Sequence, residues 1–322
     1  MKRSFVLVLF LCGCAGAPSS VSQGSLAFQP ALTAHGTRWY NAPKNSGPWS
    51  IVSGPDGALW FTELLASRIG RITTSGVQKS YPTRTANAAP LYITVGPDKA
   101  LWFTECAGGR IGRMSTSGRV TEFKVPNVPT GIAKGPDGAL WFLALNGTKN
   151  YVGRLSTSGK VAEYLIPHSK NSATLNSIVA GPDCALWFAQ EQANLVGRIT
   201  TSGRISLFHV SSGFAEPSGI GVVNGQIWVG ESNGVASVSS KGTFTQFSIP
   251  FGGGVLAITE GPQNSVWFGE NTGGSLGTVA GGKVLLYPIH TNSLSVSGIT
   301  YGRDHALWFV DRSQGRIGKF LP

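Results

Sequence analysis

Acidic residues recur at one position of a phrase that the chain repeats. The phrase Gly-Pro-Asp-Gly-Ala-Leu-Trp-Phe-Thr-Glu occupies residues 54–63, returns nearly unchanged at 96–105, and appears more loosely from Gly135, Gly181, Gly221, Gly261 and Gly302. Its last position holds, in chain order, Glu63, Glu105, Ala144, Gln190, Glu231, Glu270 and Asp311. Carboxylates gathered around one axis resist full ionisation and attract a divalent cation such as Mg²⁺ or Ca²⁺, or a cationic ligand. The alternative is that each acid pairs with a neighbouring Arg or backbone N–H, and the sequence leaves both open.

The tryptophan of the same phrase marks the period of the repeat. It stands at Trp60, Trp102, Trp141, Trp187, Trp228, Trp267 and Trp308, at intervals of 39–46 residues, which is the length of a propeller blade. Seven copies predict an all-β fold, a seven-bladed β-propeller. In the first copy we expect four antiparallel strands, near Ile51 and over residues 58–63, 68–73 and 78–82. The Trp is expected in the core, since both faces of the second strand are apolar.

The two ends of the repeat region predict how the ring closes. The last copy stops after its third strand, at residues 316–322, whereas residues 37–43 resemble an outer strand and precede the first inner strand. Pairing this N-terminal strand with the last blade removes two exposed sheet edges. We therefore expect the propeller to span residues 37–322 and to be a monomer.

The first residues predict export. Lys2 and Arg3 precede an apolar run at residues 5–11 and then Cys12-Gly13-Cys14, which is typical of a signal peptide over residues 1–13. Residues 11–14, Leu-Cys-Gly-Cys, resemble a bacterial lipobox, so Cys14 is the expected lipidation site. An ordinary secretory signal cleaved nearby is the alternative. Residues 14–36 are rich in Ser, Ala, Gly and Pro and predict a flexible tether. The expected location is the bacterial cell envelope, with a lipid anchor as the membrane attachment.

Composition and charge narrow the classes of partner. The 44 Gly, 18 Pro and 13% charged residues suit short strands joined by tight turns and argue against long helices. The formal net charge is +11, and without Lys2 and Arg3 it is 24 minus 15, or +9. The basic residues that follow Ile-Gly or Val-Gly spread around the ring at one repeat position, and no exposed aromatics accompany them. We therefore expect no nucleic-acid partner, no organic cofactor, and a small-molecule or cell-envelope ligand.

The repeated phrase and the Arg-Ile-Gly-Arg-Ile that follows it resemble the repeat of the virginiamycin B lyase family, also called streptogramin B lyases. The resemblance covers nearly all of residues 37–322. It implies a seven-bladed propeller that opens a cyclic depsipeptide antibiotic without water, by metal-assisted elimination across the ester. That chemistry needs a base for the proton α to the carbonyl and a cation that polarises the carbonyl. In the family the base is a His at the start of an inner strand, and two Glu hold the metal.

The residues that the resemblance carries over lack the base. Glu216-Pro217-Ser218-Gly219-Ile220 matches the family's site phrase, which implies Glu216 and Glu231 as metal ligands and places Ser218 where the His should be. A second, substrate-contacting His of the family corresponds to Asn176. The equivalent positions of the other copies are Trp49, Leu91, Thr130, Leu256 and Ser297, so the chain has no His at this position.

Two histidines remain as weak candidates for a base. In an antiparallel blade the start of the inner strand and the end of the second strand lie on one face, named the top face. His168 and His290 fall on top-face linkers, and either would need a long loop folded inward. Two functions follow as expectations. The first is a non-catalytic propeller that binds a cation or small ligand at the top face, with the residues at 63, 105, 176, 231, 270 and 311 as contacts. The second is a metal-dependent carbon–oxygen lyase, or a related lactone-opening enzyme.

Overall fold

The repeated phrase forms the second strand of a four-stranded antiparallel sheet in every copy. The structure, a computed structural model, describes residues 36–147, 149–167, 175–210, 216–249, 253–289 and 294–322. The leader, Cys14, His168 and His290 therefore lie outside the described residues. Within the described ranges, no helix has the length and apolar character needed to span a bilayer.

Seven such sheets form the seven blades, each running from its inner to its outer strand. The first blade has β2 (Pro48–Ser53), β3 (Leu59–Glu63), β4 (Arg68–Ile72) and β5 (Gln78–Pro82). The second has β6 (Pro90–Val95), β7 (Leu101–Glu105), β8 (Arg110–Met114) and β9 (Val120–Lys124). The third has β10 (Val128–Lys134), β11 (Leu140–Asn146), β12 (Lys149–Leu155) and β13 (Val161–Leu165). The fourth has β14 (Leu175–Ala180), β15 (Ala185–Gln190), β16 (Leu195–Thr200) and β17 (Ile205–His209).

The remaining three blades follow the same order. The fifth has β18 (Ile220–Val223), β19 (Gln226–Glu231), β20 (Gly234–Val238) and β21 (Phe244–Ser248). The sixth has β22 (Val255–Glu260), β23 (Val266–Glu270), β24 (Ser275–Ala280) and β25 (Lys283–Pro288). The seventh has β26 (Val296–Tyr301), β27 (Leu307–Asp311), β28 (Arg316–Phe320) and, as its outer strand, β1 (Thr37–Asn41). Single 3₁₀ turns occupy Glu191–Ala193 and Pro262–Asn264.

Strand β1 closes the ring as the sequence predicted. It pairs antiparallel with β28, with Thr37 opposite Phe320 and Asn41 opposite Arg316. The inner strands contact one another in chain order, and β2 contacts β26, so the first and seventh blades meet. The prediction of a seven-bladed, all-β propeller closed by its N-terminal strand is confirmed.

The tryptophans lie in the hydrophobic core between neighbouring blades, where Trp60 of the first blade packs with Ile93 and Phe103 of the second. Trp60 is fully buried and stacks on Tyr81 of the outer strand at a centroid distance of 5.5 Å. The other six blades repeat this pairing of Trp with an outer-strand aromatic, as Trp102–Phe123, Trp141–Tyr164, Trp187–Phe208, Trp228–Phe247, Trp267–Tyr287 and Trp308–Tyr40. Stacked aromatic pairs bury a large apolar area and add about 0.5–1.5 kcal/mol each. The predicted core role of the Trp is confirmed.

Candidate functional site

The acids that end the second strands are enclosed within their own blades. Glu63, Glu105, Glu231, Glu270 and Asp311 are each at most 2% exposed. Ser80 of β5 donates its O–H to Glu63 Oε1 at 2.6 Å, and Gln246 of β21 donates to Glu231 Oε2 at 3.1 Å. Asp311 accepts from Arg316 Nε at 2.9 Å and from the Ser313 hydroxyl at 2.6 Å. The expected convergence of these carboxylates on the channel is therefore corrected, because these contacts lie within the same blades.

Burial changes the protonation of these acids. It raises the pKa of Glu63 and Glu270 above the ordinary value and that of Glu231 to about 7. For Glu105, burial and the neighbouring Glu122 raise the pKa to about 8. A carboxyl group kept neutral by desolvation avoids the cost of a buried, unpaired charge. These four glutamates thus contribute less negative charge to the top face than their number suggests.

The residues that line the channel come one position later. Successive side chains of a strand point to opposite faces, so the residue after each acid position points away from the blade interior. In three blades this residue is Glu191, Asn271 or Arg312, and all three line a top-face cavity of about 230 Å³. The other lining residues come from the starts of the inner strands: Trp49, Tyr92, Asn176, Leu256 and Ser297. Asn176 is thus the predicted ligand residue that the structure brings to the cavity.

A β-bulge at the top of the inner strand turns these side chains. In the first blade Pro48 pairs with Glu63 and Ile51 with Phe61, so two residues of β2 stand opposite one residue of β3. Thr62 accepts a hydrogen bond from the freed N–H of Ser50 at 3.0 Å and donates to the carbonyl of Leu91 in the next blade at 3.0 Å. Six blades show such a register shift at this place. Bulges of this kind re-aim side chains, and here they set the cavity wall.

Arg312 is held in a fixed position on one side of the cavity. Its Nε donates to Ser295 Oγ at 2.7 Å and its Nη2 to Asn271 Oδ1 at 3.2 Å. The guanidinium also lies over the Trp49 ring, 4.9 Å from the centroid. Such cation–π contacts contribute about 0.5–2 kcal/mol. The cavity wall therefore contains a positively charged guanidinium group, that of Arg312, held in place by these contacts.

Glu191 and Tyr92 complete the polar part of the cavity. Asn176 Nδ2 donates to Glu191 Oε2 at 2.9 Å. Burial raises the pKa of Glu191, and the nearby Glu216 adds to the effect, whereas the hydrogen bond from Asn176 opposes it. Burial likewise raises the pKa of Tyr92 to about 12, so its hydroxyl stays a neutral hydrogen-bonding group at physiological pH. Tyr92, Glu191 and Arg312 all line the same cavity, and Glu191 and Arg312 act on the pKa of the Tyr92 hydroxyl in opposite directions.

The residues at the family's metal position do not fit a metal ion held by Glu216 and Glu231. Glu231 is buried against Gln246, as described above, whereas Glu216 is exposed, with its backbone at φ 71° and its N–H bonded to Asn194 Oδ1 at 2.9 Å. In the part of the chain that the structure describes, no three His, Cys, Asp or Glu side chains lie close enough to hold a metal. Glu216 instead neighbours Glu191 of the preceding blade.

The hydroxyl of Ser218 forms a hydrogen bond that links two neighbouring blades. Ser218 is 4% exposed, and its hydroxyl donates to the carbonyl of Val255 in the next blade at 2.9 Å. Ser297, at the same position of the seventh blade, donates to the carbonyl of Trp49 at 2.6 Å. A serine here ties neighbouring inner strands together, and a donating hydroxyl without a base beside it is a poor nucleophile.

Sequence reasoning missed Tyr92, Glu191, Asn271 and Arg312 as cavity residues. The signal was present in the repeat, since three of them follow the acid position directly and the face of the strand alternates with each residue. Counting along the second strand gives two opposite faces, but only the packing of the blades shows which of the two meets the cavity.

Comparisons with known proteins agree with the fold and the repeat. The model of the Virginiamycin B lyase family matches residues 38–250 and 222–322. A streptogramin B lyase structure is 31% identical with a TM-score of 0.83, covering 89% of this chain and 97% of that one. Selenomethionine-substituted virginiamycin B lyase from Staphylococcus aureus is 32% identical with a TM-score of 0.82, covering 89% and 99%. A catalytically inactive variant of the same enzyme, with quinupristin, is 31% identical with a TM-score of 0.82, over the same shares of the two chains.

The family match covers nearly all of the propeller, and the repeat phrases, the ring of seven blades and its closure agree with it. This chain belongs to the virginiamycin B lyase family.

Proposed function

We propose that this propeller binds a small ligand in its top-face cavity and does not catalyse the elimination that its relatives' names describe. The observation that carries the proposal is the site of the missing base. Ser218 stands there, buried, with its hydroxyl committed to the carbonyl of Val255. The six equivalent inner-strand positions also lack a His. General base catalysis contributes about 10²–10⁴ in rate, so its loss would leave little lyase activity.

The cavity itself supports ligand binding. It combines an apolar wall with a few fixed polar groups, which is the usual composition of a small-molecule site. Trp49 and Leu256 supply apolar surface, and Arg312 and Glu191 supply charge. A divalent cation, Mg²⁺ or Ca²⁺, is a second proposed occupant, with Glu191 and Glu216 as the neighbouring top-face carboxylates that are not enclosed in a blade.

We further propose that the protein acts in the bacterial cell envelope, exported by residues 1–13 and anchored by a lipid on Cys14. The support is the basic, apolar and Cys-containing leader followed by a tether-like composition.

A direct assay tests the catalytic half of the proposal. The purified protein is incubated with a streptogramin B antibiotic, with and without Mg²⁺, and the linear product is sought by mass spectrometry. We expect no product above the protein-free control, whereas robust magnesium-dependent ring opening would overturn the proposal. Calorimetric titration with Mg²⁺ and Ca²⁺ in the same buffer decides whether a cation is an occupant.

A lyase, or a related lactone-opening enzyme, is the second candidate because the chain belongs to a lyase family. Its base would have to be His168 or His290. If ring opening is found, the variants His168→Ala and His290→Ala are assayed in the same way. The His whose substitution abolishes ring opening is the base. If both variants keep the ring-opening activity, neither His168 nor His290 is the base.

A further inference from the structure

We propose that the top-face cavity recognises a small zwitterion, a molecule carrying both a carboxylate and an ammonium group beside an apolar side chain. An amino acid or a dipeptide has this chemistry. The inference rests on the proposed function, since it names the class of ligand for the same cavity.

Arg312 is the group that would bind the carboxylate. A guanidinium has five N–H donors, and the contacts to Ser295 and Asn271 use two of them. No carboxylate lies within 4.0 Å of it among the described residues. The remaining donors can form the paired hydrogen bonds that Arg makes with carboxylates. Because Trp49, Ser295 and Asn271 already hold the side chain, little of its entropy is lost on binding.

Glu191 is the group that would bind the ammonium. It accepts from Asn176, and no Lys or Arg lies within 4.0 Å of it in the ranges that the structure describes. The neighbouring Glu216 increases the negative charge on this side. A half-buried carboxylate of this kind gains from a cation that enters the cavity, because the dielectric constant there is lower than in water.

The two charges face the cavity from well-separated blades. Glu191 follows β15 in the fourth blade, and Arg312 follows β27 in the seventh. Both line the same cavity as Tyr92, and no ion pair joins the two among the described residues. A ligand with one charge of each sign satisfies both groups, whereas a ligand with a single charge leaves the other unpaired.

The size and the apolar wall define the rest of the ligand. The cavity volume of about 230 Å³ lies below the range of about 300–1,000 Å³ that is typical of sites for drug-sized ligands. It therefore suits a ligand the size of an amino acid more than a cyclic depsipeptide. Trp49 and Leu256 provide contact for an apolar or aromatic side chain.

Three related compounds test the charge requirement on the unmodified protein. L-phenylalanine carries both charges, N-acetyl-L-phenylalanine carries the carboxylate alone, and L-phenylalaninamide carries the ammonium alone. Isothermal titration calorimetry should show that L-phenylalanine binds about 10- to 100-fold more tightly than either derivative, since each loses one charged hydrogen bond. Glycyl-L-phenylalanine, with its charges further apart, decides between a free amino acid and a dipeptide by which of the two binds more tightly.

Two variants assign each charge to its residue. Arg312→Gln should weaken L-phenylalanine and the N-acetyl compound by a similar factor and leave the amide unchanged. Glu191→Gln should weaken L-phenylalanine and the amide and leave the N-acetyl compound unchanged. The matched controls are Arg119→Gln, at an exposed turn residue, and Glu260→Gln, at the opposite end of an inner strand. Both controls should bind as the unmodified protein does.

The outcomes separate this inference from the proposed function. If a singly charged compound binds as tightly as L-phenylalanine, or if both variants bind it normally, the zwitterion is wrong although the cavity still binds ligands. If none of the compounds binds and a wider screen of small molecules also gives no ligand, both the zwitterion and the proposed function fail. The titrations of the unmodified protein with the related compounds remain decisive even if a variant does not fold.

Discussion

At the scale of single residues, Glu105 shows why an acidic position in a repeat need not bind a ligand. No N–H donor or hydroxyl of the described residues bonds to its carboxyl oxygens, and their one polar neighbour of this kind is the carboxyl of Glu122, with which Glu105 can share a hydrogen bond only when one of the two acids is protonated. Glu122 itself accepts from the N–H groups of Arg84 and Thr85 and from the Thr85 hydroxyl. Burial, together with the repulsion from Glu122 that a proton on Glu105 removes, raises the pKa of Glu105 to about 8.

This protonation makes stability depend on pH. The folded protein keeps the proton on Glu105 up to about pH 8, whereas the ordinary pKa of a Glu in an unfolded chain is 4.5. Between these values the folded state binds more protons than the unfolded state, so the free energy of unfolding falls as pH rises. Glu105→Gln should reduce this slope, to which Glu63, Glu231 and Glu270 also contribute, and leave the variant about 1–3 kcal/mol more stable than the parent at pH 9. Urea unfolding at pH 5, 7 and 9 measures the free energy of unfolding of both proteins.

Glu260→Gln, at the other end of an inner strand, is the control and should keep the slope of the unmodified protein. An equal slope in the Glu105 variant would show that this carboxyl is ionised in the folded state at neutral pH.

At the scale of the blade, one turn explains two features of the repeat. In the second blade Asp98 Oδ1 accepts from the Trp102 indole N–H at 2.9 Å, and Oδ2 accepts from Arg113 Nε at 2.6 Å. Four other blades have the same arrangement with Asp56, Asp137, Asp183 and Asp304. The turn Asp thus ties the second and third strands together. The basic residue after Ile-Gly has this structural partner, which accounts for its regular spacing without an anionic polymer.

Asp98→Ala should lower the free energy of unfolding by about 1–3 kcal/mol, because it leaves a buried indole N–H without an acceptor. Arg113→Gln should lower the free energy of unfolding by about 0–1 kcal/mol, since it removes a partly exposed ion pair.

The effect of Asp98 also depends on pH. Burial acts to raise the pKa of Asp98, but the hydrogen bonds from Trp102 and Arg113 outweigh burial and hold the pKa below its ordinary value. The contribution of Asp98 to the free energy of unfolding is therefore fully present above the pKa that Asp98 has in the unfolded chain. It is lost as the pH falls through the pKa that Asp98 has in the folded protein. Thermal unfolding of both variants at pH 7 and pH 3 is the measurement, and equal losses in the two variants would contradict the role of the indole.

At the scale of the whole molecule, the ring depends on a strand from the far end of the chain. Trp39 of β1 packs edge-on against Phe309 at 5.4 Å, and Arg316 lies over the Trp39 ring at 3.7 Å. Tyr40 stacks on Trp308 at 5.5 Å. Strand β1 therefore covers the hydrogen-bonding edge of β28 and part of the core of the seventh blade.

Deleting residues 37–43 should lower stability by about 3–6 kcal/mol, from the loss of two large aromatic side chains at about 1.5–3 kcal/mol each. The uncovered edge of β28 should also promote aggregation. Differential scanning calorimetry and light scattering detect the two effects. Deleting residues 15–34 is the control and should change neither, and equal effects of the two deletions would contradict closure by β1.

The proposed lipid anchor is also tested at the scale of the whole molecule. Lipidation would occur on the thiol of Cys14, so Cys14→Ser should move the protein from the membrane fraction to the soluble fraction. Fractionation of the expressing cells with an immunoblot measures this, and Cys106→Ser is the control that leaves the leader unchanged. Membrane association that persists in the Cys14 variant would exclude the lipid anchor.

The sequence by itself determined the repeat, the number of blades, their strands and the closure of the ring. The predicted outer strand over residues 78–82 has the bounds of β5, and residues 37–43 contain β1. These features are accessible because turn residues and alternating apolar residues act over short range and recur seven times. The sequence also supports the proposal that the base is missing, because Ser218 stands at the position that the resemblance to the family assigns to the His.

The tertiary structure decided which residues face the channel. Asp311 and Arg312 are adjacent in sequence, yet one is buried inside a blade and the other lies in the cavity wall. Adjacent residues of an extended chain take opposite faces, and the packing of the blades in the ring decides which of these faces meets the blade interior and which meets the cavity. The cavity is moreover assembled from blades that are far apart in the chain, as Trp49 and Arg312 show. Contacts of that range follow from closure of the ring and leave no local pattern in the sequence.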